Sequence, residues 1–251
     1  MSYYKIINNE SVLENFIDWL PDLEDNQVFF LALQTRHKYN PDIRDTMLRR
    51  FTATKNNMVA KIKELELRLG AWSVKGVPLS LDDLVLYINP NPRCMLKANV
   101  GMGQHCWKLK DSSKFNLESE ALSFIQKSKA YTFVVDFDID IKEGETYTFI
   151  KEGEVDFSFL KKMFPVARSG FDSPYRVLKT RGGYHLLVNP RVADLQIKSF
   201  YGDRVIKGFA PLQWHKAIRD MFSPAVDAVG DHFMPVPGGT QGGFIPYFLK
   251  V

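Results

Sequence analysis

The segment Tyr131–Ile139 constrains the fold of this chain more than any other, because a strongly apolar run leads directly into alternating aspartates. With the next residue it reads YTFVVDFDID. Side chains of a β-strand alternate between two faces. We therefore predict that Asp136, Asp138 and Asp140 lie on one face of a strand and that the apolar residues between them face a core. The preceding apolar residues favour a central position in the sheet.

Neighbouring carboxylates on one face of a sheet repel each other, so that one of them takes up a proton or a cation neutralises them. Hard divalent ions such as Mg²⁺ and Mn²⁺ prefer oxygen ligands. The alternating aspartates therefore indicate a divalent metal site. The alternative is an acidic strand face that is simply solvated.

A second group of polar residues lies in a predicted β-hairpin, at its TRGG turn and in the strand that follows. Glycine lets backbone N–H groups approach an anion closely, while hydroxyl, guanidinium and imidazole groups donate hydrogen bonds. This combination suits a polyphosphate, although an ordinary Gly-Gly hairpin turn has the same sequence. The candidate phosphate ligands are Thr180, Arg181, Gly182, Gly183 and His185.

A third acidic candidate, Asp227, follows the apolar pair Ala225-Val226. It precedes a loop rich in glycine and proline, MPVPGGTQGG, at residues 234–243. Such a loop is neither a regular helix nor a central strand, so it lies close to another backbone or to a ligand, or else on the surface.

The rest of the chain alternates helical and strand patterns without a regular βαβ rhythm, which predicts the α+β class. We expect one domain over residues 1–251, in which residues 1–115 form an N-terminal helical and strand portion and residues 116–251 the portion with the three motifs. At the N-terminus we expect a helix that begins with a capping box at Ser11 and ends at Pro21, followed by a strand over Gln27–Leu33. A long helical stretch is expected over residues 40–69, with a break near 52–57. After it we expect a strand over 84–88 that ends in a turn at 89–92, and then mainly helix over 93–130.

Composition narrows the class of protein further. The net charge of +4 permits a polyanionic partner without requiring one. Two cysteines suit a reducing compartment, and no apolar run approaches the ~18–20 residues that span a bilayer, so we expect a cytoplasmic protein without membrane contact. Structural zinc needs four ligands, and the chain offers only three close candidates, Cys94, His105 and Cys106. We therefore do not expect zinc, and we expect the two cysteines to be buried. Core packing is the expected role of Trp107 and Trp214.

The order of the three motifs resembles the catalytic core of the archaeo-eukaryotic primase superfamily, the primase–polymerases. That family has an apolar run into D-x-D, then a Ser-x-His-like motif, then an apolar-Asp motif followed by an R-x-P-G-[ST]-type loop. The resemblance covers residues 131–246, and a compact chain of this type suits a phage- or plasmid-type member of the family. Two positions depart from the pattern: Gly183 stands where a serine is expected two residues before His185, and Pro235 stands where an arginine is expected.

The resemblance implies a palm of mixed or antiparallel sheets, like an RNA-recognition fold, flanked by helices, with an N-terminal α/β portion. It makes Asp136, Asp138 and Asp227 catalytic ligands of two Mg²⁺ or Mn²⁺ ions. It also makes the hairpin residues ligands of an incoming nucleoside triphosphate. The implied activity is nucleotidyl transfer on a single-stranded DNA template, as a DNA primase or primase–polymerase, with a replicative helicase as a possible partner in a bacterial host cytoplasm.

Two other functions fit the same residues. A primase-like domain that has lost its chemistry would bind nucleic acid or a replication partner, and the missing arginine favours this alternative slightly. A nuclease or glycosyltransferase that uses D-x-D is the other, although the glycine-rich turn into His185 and the late Asp227 fit it less well.

Overall fold

The computed structural model describes residues 2–109, 115–142, 144–151, 154–164, 173–201 and 213–250. These residues form an α+β protein with seven α-helices and antiparallel sheets. The chain divides into two compact units: unit 1 contains Met1–Thr132 and Phe233–Pro246, and unit 2 contains Phe133–His232 and Tyr247–Val251. The sequence suggested a division after residue 115. In the structure the first unit continues to Thr132, because the helix over residues 117–127 packs within unit 1.

Unit 1 is built on a four-stranded antiparallel sheet in the order β12-β5-β1-β2. Its main elements are α1 (Glu10–Trp19), β1 (Gln27–Thr35), β2 (Thr46–Ala53), α2 (Met58–Lys63), β3 (Ser73–Val74), β4 (Val77–Pro78), β5 (Leu84–Cys94), α3 (Met95–Lys108), α4 (Leu117–Lys127) and β12 (Met234–Pro235).

Helix α1 forms because apolar residues recur at helical spacing and bury one face, with Leu13, Phe16 and Ile17 in the core. The side chain of Asn9 caps the helix by accepting a hydrogen bond from the backbone N–H of Val12. The expected helix is thus confirmed, but it begins two residues earlier than the capping box at Ser11 predicted.

Two of the secondary-structure expectations for unit 1 are wrong. Residues 46–51, expected to be helical, and residues 52–53, expected to begin a break, form β2, because this segment pairs along β1 from Phe29 opposite Ala53 to Thr35 opposite Thr46. The turn expected at residues 89–92 is absent, since β5 continues through this segment to Cys94, with an irregular register against β1 between Asn89 and Arg93.

Unit 2 is built on a five-stranded antiparallel sheet in the order β11-β6-β10-β9-β13. Its elements are β6 (Val135–Asp140), β7 (Ile150–Lys151), β8 (Glu154–Val155), α5 (Ser158–Met163), β9 (Tyr175–Lys179), β10 (Gly183–Val188), α6 (Pro190–Tyr201), α7 (Gln213–Phe222), β11 (Val226–Gly230) and β13 (Tyr247–Phe248). The D-x-D strand lies centrally, as predicted, with β11 on one side and β10 on the other.

One face of the unit 2 sheet packs on a core rich in aromatic side chains. Phe137 and Ile139 of β6 lie in this core with Tyr184 and Leu186 of β10, and all of them are buried. Trp214 is buried there too, as expected, and its indole N–H donates to the Asp194 carboxylate at 3.0 Å. In the described part of the chain, every helix is too short or too polar to cross a membrane.

Candidate metal and nucleotide site

The strand register places the aspartates of β6 on the sheet face away from the aromatic core. In the pairing of β6 with β10, His185 lies opposite Asp138, and Gly183 lies opposite Asp140. Because directly opposed residues share a face, His185 lies on the acidic side of the sheet. The prediction that the three aspartates share a face, with the intervening apolar residues in the core, is confirmed.

The imidazole of His185 lies between two of these carboxylates. Its Nδ1 is 2.9 Å from Oδ2 and 3.0 Å from Oδ1 of Asp136, and its Nε2 is 3.6 Å from Oδ1 of Asp138. Asp136 is only 1% exposed and His185 only 6%. The buried carboxylate therefore receives its hydrogen bond from a neighbouring strand, which fixes the orientation of both side chains.

Charge explains the protonation of this pair. Burial by itself lowers the pKa of His185, but the charge and hydrogen bond of Asp136, with the charges of Asp138 and Asp140, outweigh burial and raise the pKa to about 9. At neutral pH the ring is therefore an imidazolium. It supplies the positive charge that adjacent carboxylates on one sheet face require.

Asp227 lies at a β-bulge of the strand next to β6. Strand β11 pairs with β6 so that Val226 lies opposite Ile139 and Ala228 opposite Asp138, with the register shift between them. Val226 and Val229 both pack against the aromatic core. Ala228 therefore lies on the acidic face, opposite Asp138, and Asp227 is the extra residue of the bulge beside it, with an exposed carboxylate.

The hairpin turn has a structural requirement of its own. A Cβ added to Gly183 would lie 2.0 Å from the carbonyl oxygen of Ile139 on β6, so only glycine fits at this position. The turn is closed by the N–H of Thr180, which donates to the Gly183 carbonyl at 3.0 Å, and Thr180 is buried. Gly183 is therefore explained by strand packing, and phosphate binding by the turn remains a prediction. Arg181 is exposed at the tip.

A cavity of about 230 Å³ adjoins the tip of this hairpin. Two cationic side chains and one aromatic ring contribute to its wall, and the Lys179 ammonium lies 4.0 Å from the centroid of the Tyr184 ring. Lys179 and Tyr184 were not identified from the sequence as site residues. The lining residues are Ile141, Ile150, Val155, Lys179, Arg181, Gly182, Gly183 and Tyr184.

The donor chemistry of the acidic face suits a hard divalent cation. The three aspartates offer carboxylate oxygens, and Asp138 and Asp227 are at least partly exposed. Among the residues that the structure describes, no three His, Cys, Asp or Glu side chains are grouped closely enough to hold a metal ion. Both oxygens of Asp136 contact the imidazole instead. The side chains are thus of the types that bind a hard divalent cation, whereas in this conformation the protonated His185 neutralises part of their charge.

Unit 1 contains a buried polar row that sequence reasoning missed. Asn89, Asn91 and Arg93 alternate with Pro90 and Pro92 in β5, and all five are buried. The spacing of two between the polar residues is the strand signal in the sequence. It was overlooked because Asn-Pro pairs are more typical of turns.

The cysteines also differ from expectation. Cys94 is partly exposed and Cys106 exposed, so the prediction of buried cysteines is wrong. Cys94 instead caps α3, where its sulfur accepts a hydrogen bond from the N–H of Lys97 at 3.5 Å.

No protein-family model matches the sequence, and comparisons with curated proteins and with solved structures also give no match.

Proposed function

We propose that this chain is a metal-dependent nucleotidyltransferase of the primase–polymerase type, with unit 2 as its palm. The observation that supports the proposal is the contact of His185 with Asp136 and Asp138 on one face of β6, with the exposed Asp227 in the bulge of the adjacent strand. Paired carboxylates on neighbouring antiparallel strands suit two-metal phosphoryl chemistry.

In this proposal, Asp136, Asp138 and Asp227 hold two Mg²⁺ or Mn²⁺ ions. Bound there, the ions would neutralise the triphosphate and the pyrophosphate leaving group and lower the pKa of the attacking 3′-hydroxyl. The sequence made His185 a ligand of the nucleotide phosphates, but its ring contacts Asp136 and Asp138. In this proposal it therefore holds these two carboxylates in place.

The nucleotide lies along the β9–β10 hairpin in this proposal. Arg181 is exposed at the tip, where its guanidinium can bind phosphate oxygens in a fixed geometry. Gly182 and Thr180 shape the turn from which it projects. A single-stranded DNA template and nucleoside triphosphates are the proposed substrates, and a replicative helicase is the proposed partner.

The test is primer extension and dinucleotide synthesis on single-stranded DNA with Mg²⁺ or Mn²⁺. Asp138→Asn and Asp227→Asn should abolish the activity, and both side chains are exposed enough for the fold to survive. Asp140→Asn is the matched control, because it removes a carboxylate from the same strand and face but not from the proposed ligand set. If Asp138→Asn and Asp227→Asn extend primers as well as the wild type does, the proposal is wrong.

A second candidate is the degenerate module, a primase-like domain that binds nucleic acid or a replication partner without catalysis. It is favoured by the engagement of both Asp136 oxygens with His185 and by Pro235 at the position of the expected arginine. Calorimetric titration with Mn²⁺ and a nucleoside triphosphate separates the two, because such a module should bind neither. Cleavage of labelled single strands without nucleotides would instead indicate the nuclease alternative.

A further inference from the structure

The outward face of α3 in unit 1 carries an apolar stripe. Leu96, Val100, Gly103 and Trp107 recur at intervals of four, three and four residues, which align on one side of a helix. Leu96 is 59% exposed, Val100 62% and Trp107 92%. A Cβ at Gly103 would meet no atom within 4 Å. The sequence favoured a core position for Trp107, and the structure contradicts this. We refer to these four residues as the α3 stripe.

The opposite face of α3 makes the contacts within unit 1. Ala98 is buried, a Cβ at Gly101 would lie 2.9 Å from the Phe124 ring of α4, and the His105 ring lies 5.6 Å from the same ring. The helix therefore satisfies its packing against α4 with one face. The α3 stripe is surplus to that packing, and a contiguous exposed apolar surface of this kind is typical of a binding surface.

Charge limits what can cover the stripe. Helix α3 contains no Asp or Glu. Lys97 and Lys108 are both exposed and are separated by about three helical turns, so they lie on the same flank of the stripe. The surface is thus apolar along its middle and cationic along one side.

A shallow, open depression lies beside the stripe. It has a volume of about 430 Å³ and is lined by Leu96, Lys97, Val100, Gly101 and Gln104. The exposed side chains of Leu96 and Val100 form its apolar edge. An apolar ridge next to a depression is the shape into which side chains of a second helix interdigitate.

We propose that the α3 stripe binds an amphipathic helix of a partner protein whose apolar seam is flanked by acidic residues. Apolar positions spaced as on a heptad would pack against Leu96, Val100 and Trp107, and Glu or Asp beside that seam would face the lysines. This interaction lies in unit 1 and does not depend on the proposed nucleotidyl transfer.

The same observations disfavour two other occupants. In a pair of α3 helices from two copies of this chain, the lysine flanks have no acidic residue on α3 to face in either orientation. Single-stranded nucleic acid binds through phosphate contacts together with the stacking of successive bases on several rings. Only Trp107 of the stripe offers a ring, whereas Leu96 and Val100 are aliphatic and Gly103 has no side chain.

The test uses the full chain and two labelled peptides of about three heptads, both with leucine at the seam positions, one flanked by Glu and the other by Lys. Fluorescence anisotropy should show binding of the Glu peptide and at least about tenfold weaker binding of the Lys peptide. Trp107→Ala and Lys108→Glu should each weaken binding of the Glu peptide by about tenfold or more. Trp107 is exposed, so its replacement leaves the fold intact, which circular dichroism would verify.

Leu69→Ala is the matched control, because Leu69 is an exposed leucine of unit 1 outside the stripe, and it should leave the affinity unchanged. Equal affinity for the two peptides, or no binding of the Glu peptide, would refute the proposal. It would equally be refuted by Trp107-dependent binding of oligothymidylate in preference to the Glu peptide, which would indicate a nucleic-acid surface. A dimer in sedimentation that Trp107→Ala dissociates would assign the stripe to self-association instead.

Discussion

Replacing Gly183 by alanine tests the register of β6 and β10, on which the whole acidic face depends. The added Cβ would lie 2.0 Å from the Ile139 carbonyl oxygen, whereas close carbon–oxygen contacts in proteins begin near ~3.3 Å. About 1.3 Å of separation must therefore be found between two backbones. Neither backbone can turn away as a flexible side chain could, so the strands must separate locally.

The cost of this separation follows from the bonds beside it. The N–H of Ile141, just after β6, donates to the carbonyl of Gly182, just before β10, at 3.2 Å. An extra 1.3 Å would stretch such a bond beyond its normal range of ~2.7–3.2 Å. Overpacking costs about 1–3 kcal/mol and a lost hydrogen bond about 0.5–1.5 kcal/mol. We therefore expect Gly183→Ala to lower the free energy of unfolding by about 1.5–4.5 kcal/mol.

Urea unfolding followed by circular dichroism measures this loss, with Gly103→Ala as the matched control. Gly103 lies in helix α3 with open space at its Cβ position. The control should be stabilised by up to about 1 kcal/mol, because alanine has the higher helix propensity. A Gly183→Ala protein within about 0.5 kcal/mol of wild type, the usual range for neutral surface substitutions, would show that the two strands do not approach as described.

Two further predictions concern single side chains. In divalent-free buffer, the raised pKa of His185 should stabilise the fold fully below pH 6.5, the ordinary pKa of histidine, and this stabilisation should be lost as the pH rises through about 9. The loss, followed by urea unfolding, should be smaller in His185→Gln. Equal pH profiles of the two proteins would contradict the pairing of His185 with Asp136. Tyr4→Phe should lower the free energy of unfolding by about 1–3 kcal/mol in the same assay, because the buried hydroxyl donates to the Leu79 carbonyl at 2.7 Å. Tyr3→Phe, at an exposed position, should leave it unchanged. An equal effect of the two substitutions would contradict the Tyr4 hydrogen bond.

The acidic strand could be predicted from the sequence because alternation is a local property. Asp136 and Asp138 needed only the period of two to be assigned to one face. The contact of His185 with Asp136 depends on the register between strands far apart in the chain, which no local pattern contains. The bulge at Asp227 likewise arises from pairing with β6.

The errors in unit 1 have the same physical origin. Residues 46–53 contain Met, Leu and Arg, which favour helices, yet they form β2 because pairing with β1 outweighs their intrinsic preference. For residues 89–92, the turn preference of Asn and Pro is outweighed by burial within β5. In both cases, contacts distant in sequence decide the structure of a segment whose local signal points elsewhere.

The alternation of asparagine and proline in β5 also bears on how this chain avoids self-association. Pro90 and Pro92 have no N–H, so this stretch cannot offer a continuous row of donors to an incoming strand. The Pro92 carbonyl is already satisfied by the Ala130 N–H at 2.8 Å, and Cys94 donates to the Ser128 carbonyl at 2.7 Å. This buried stretch of β5 is therefore a poor template for pairing with a strand of another molecule.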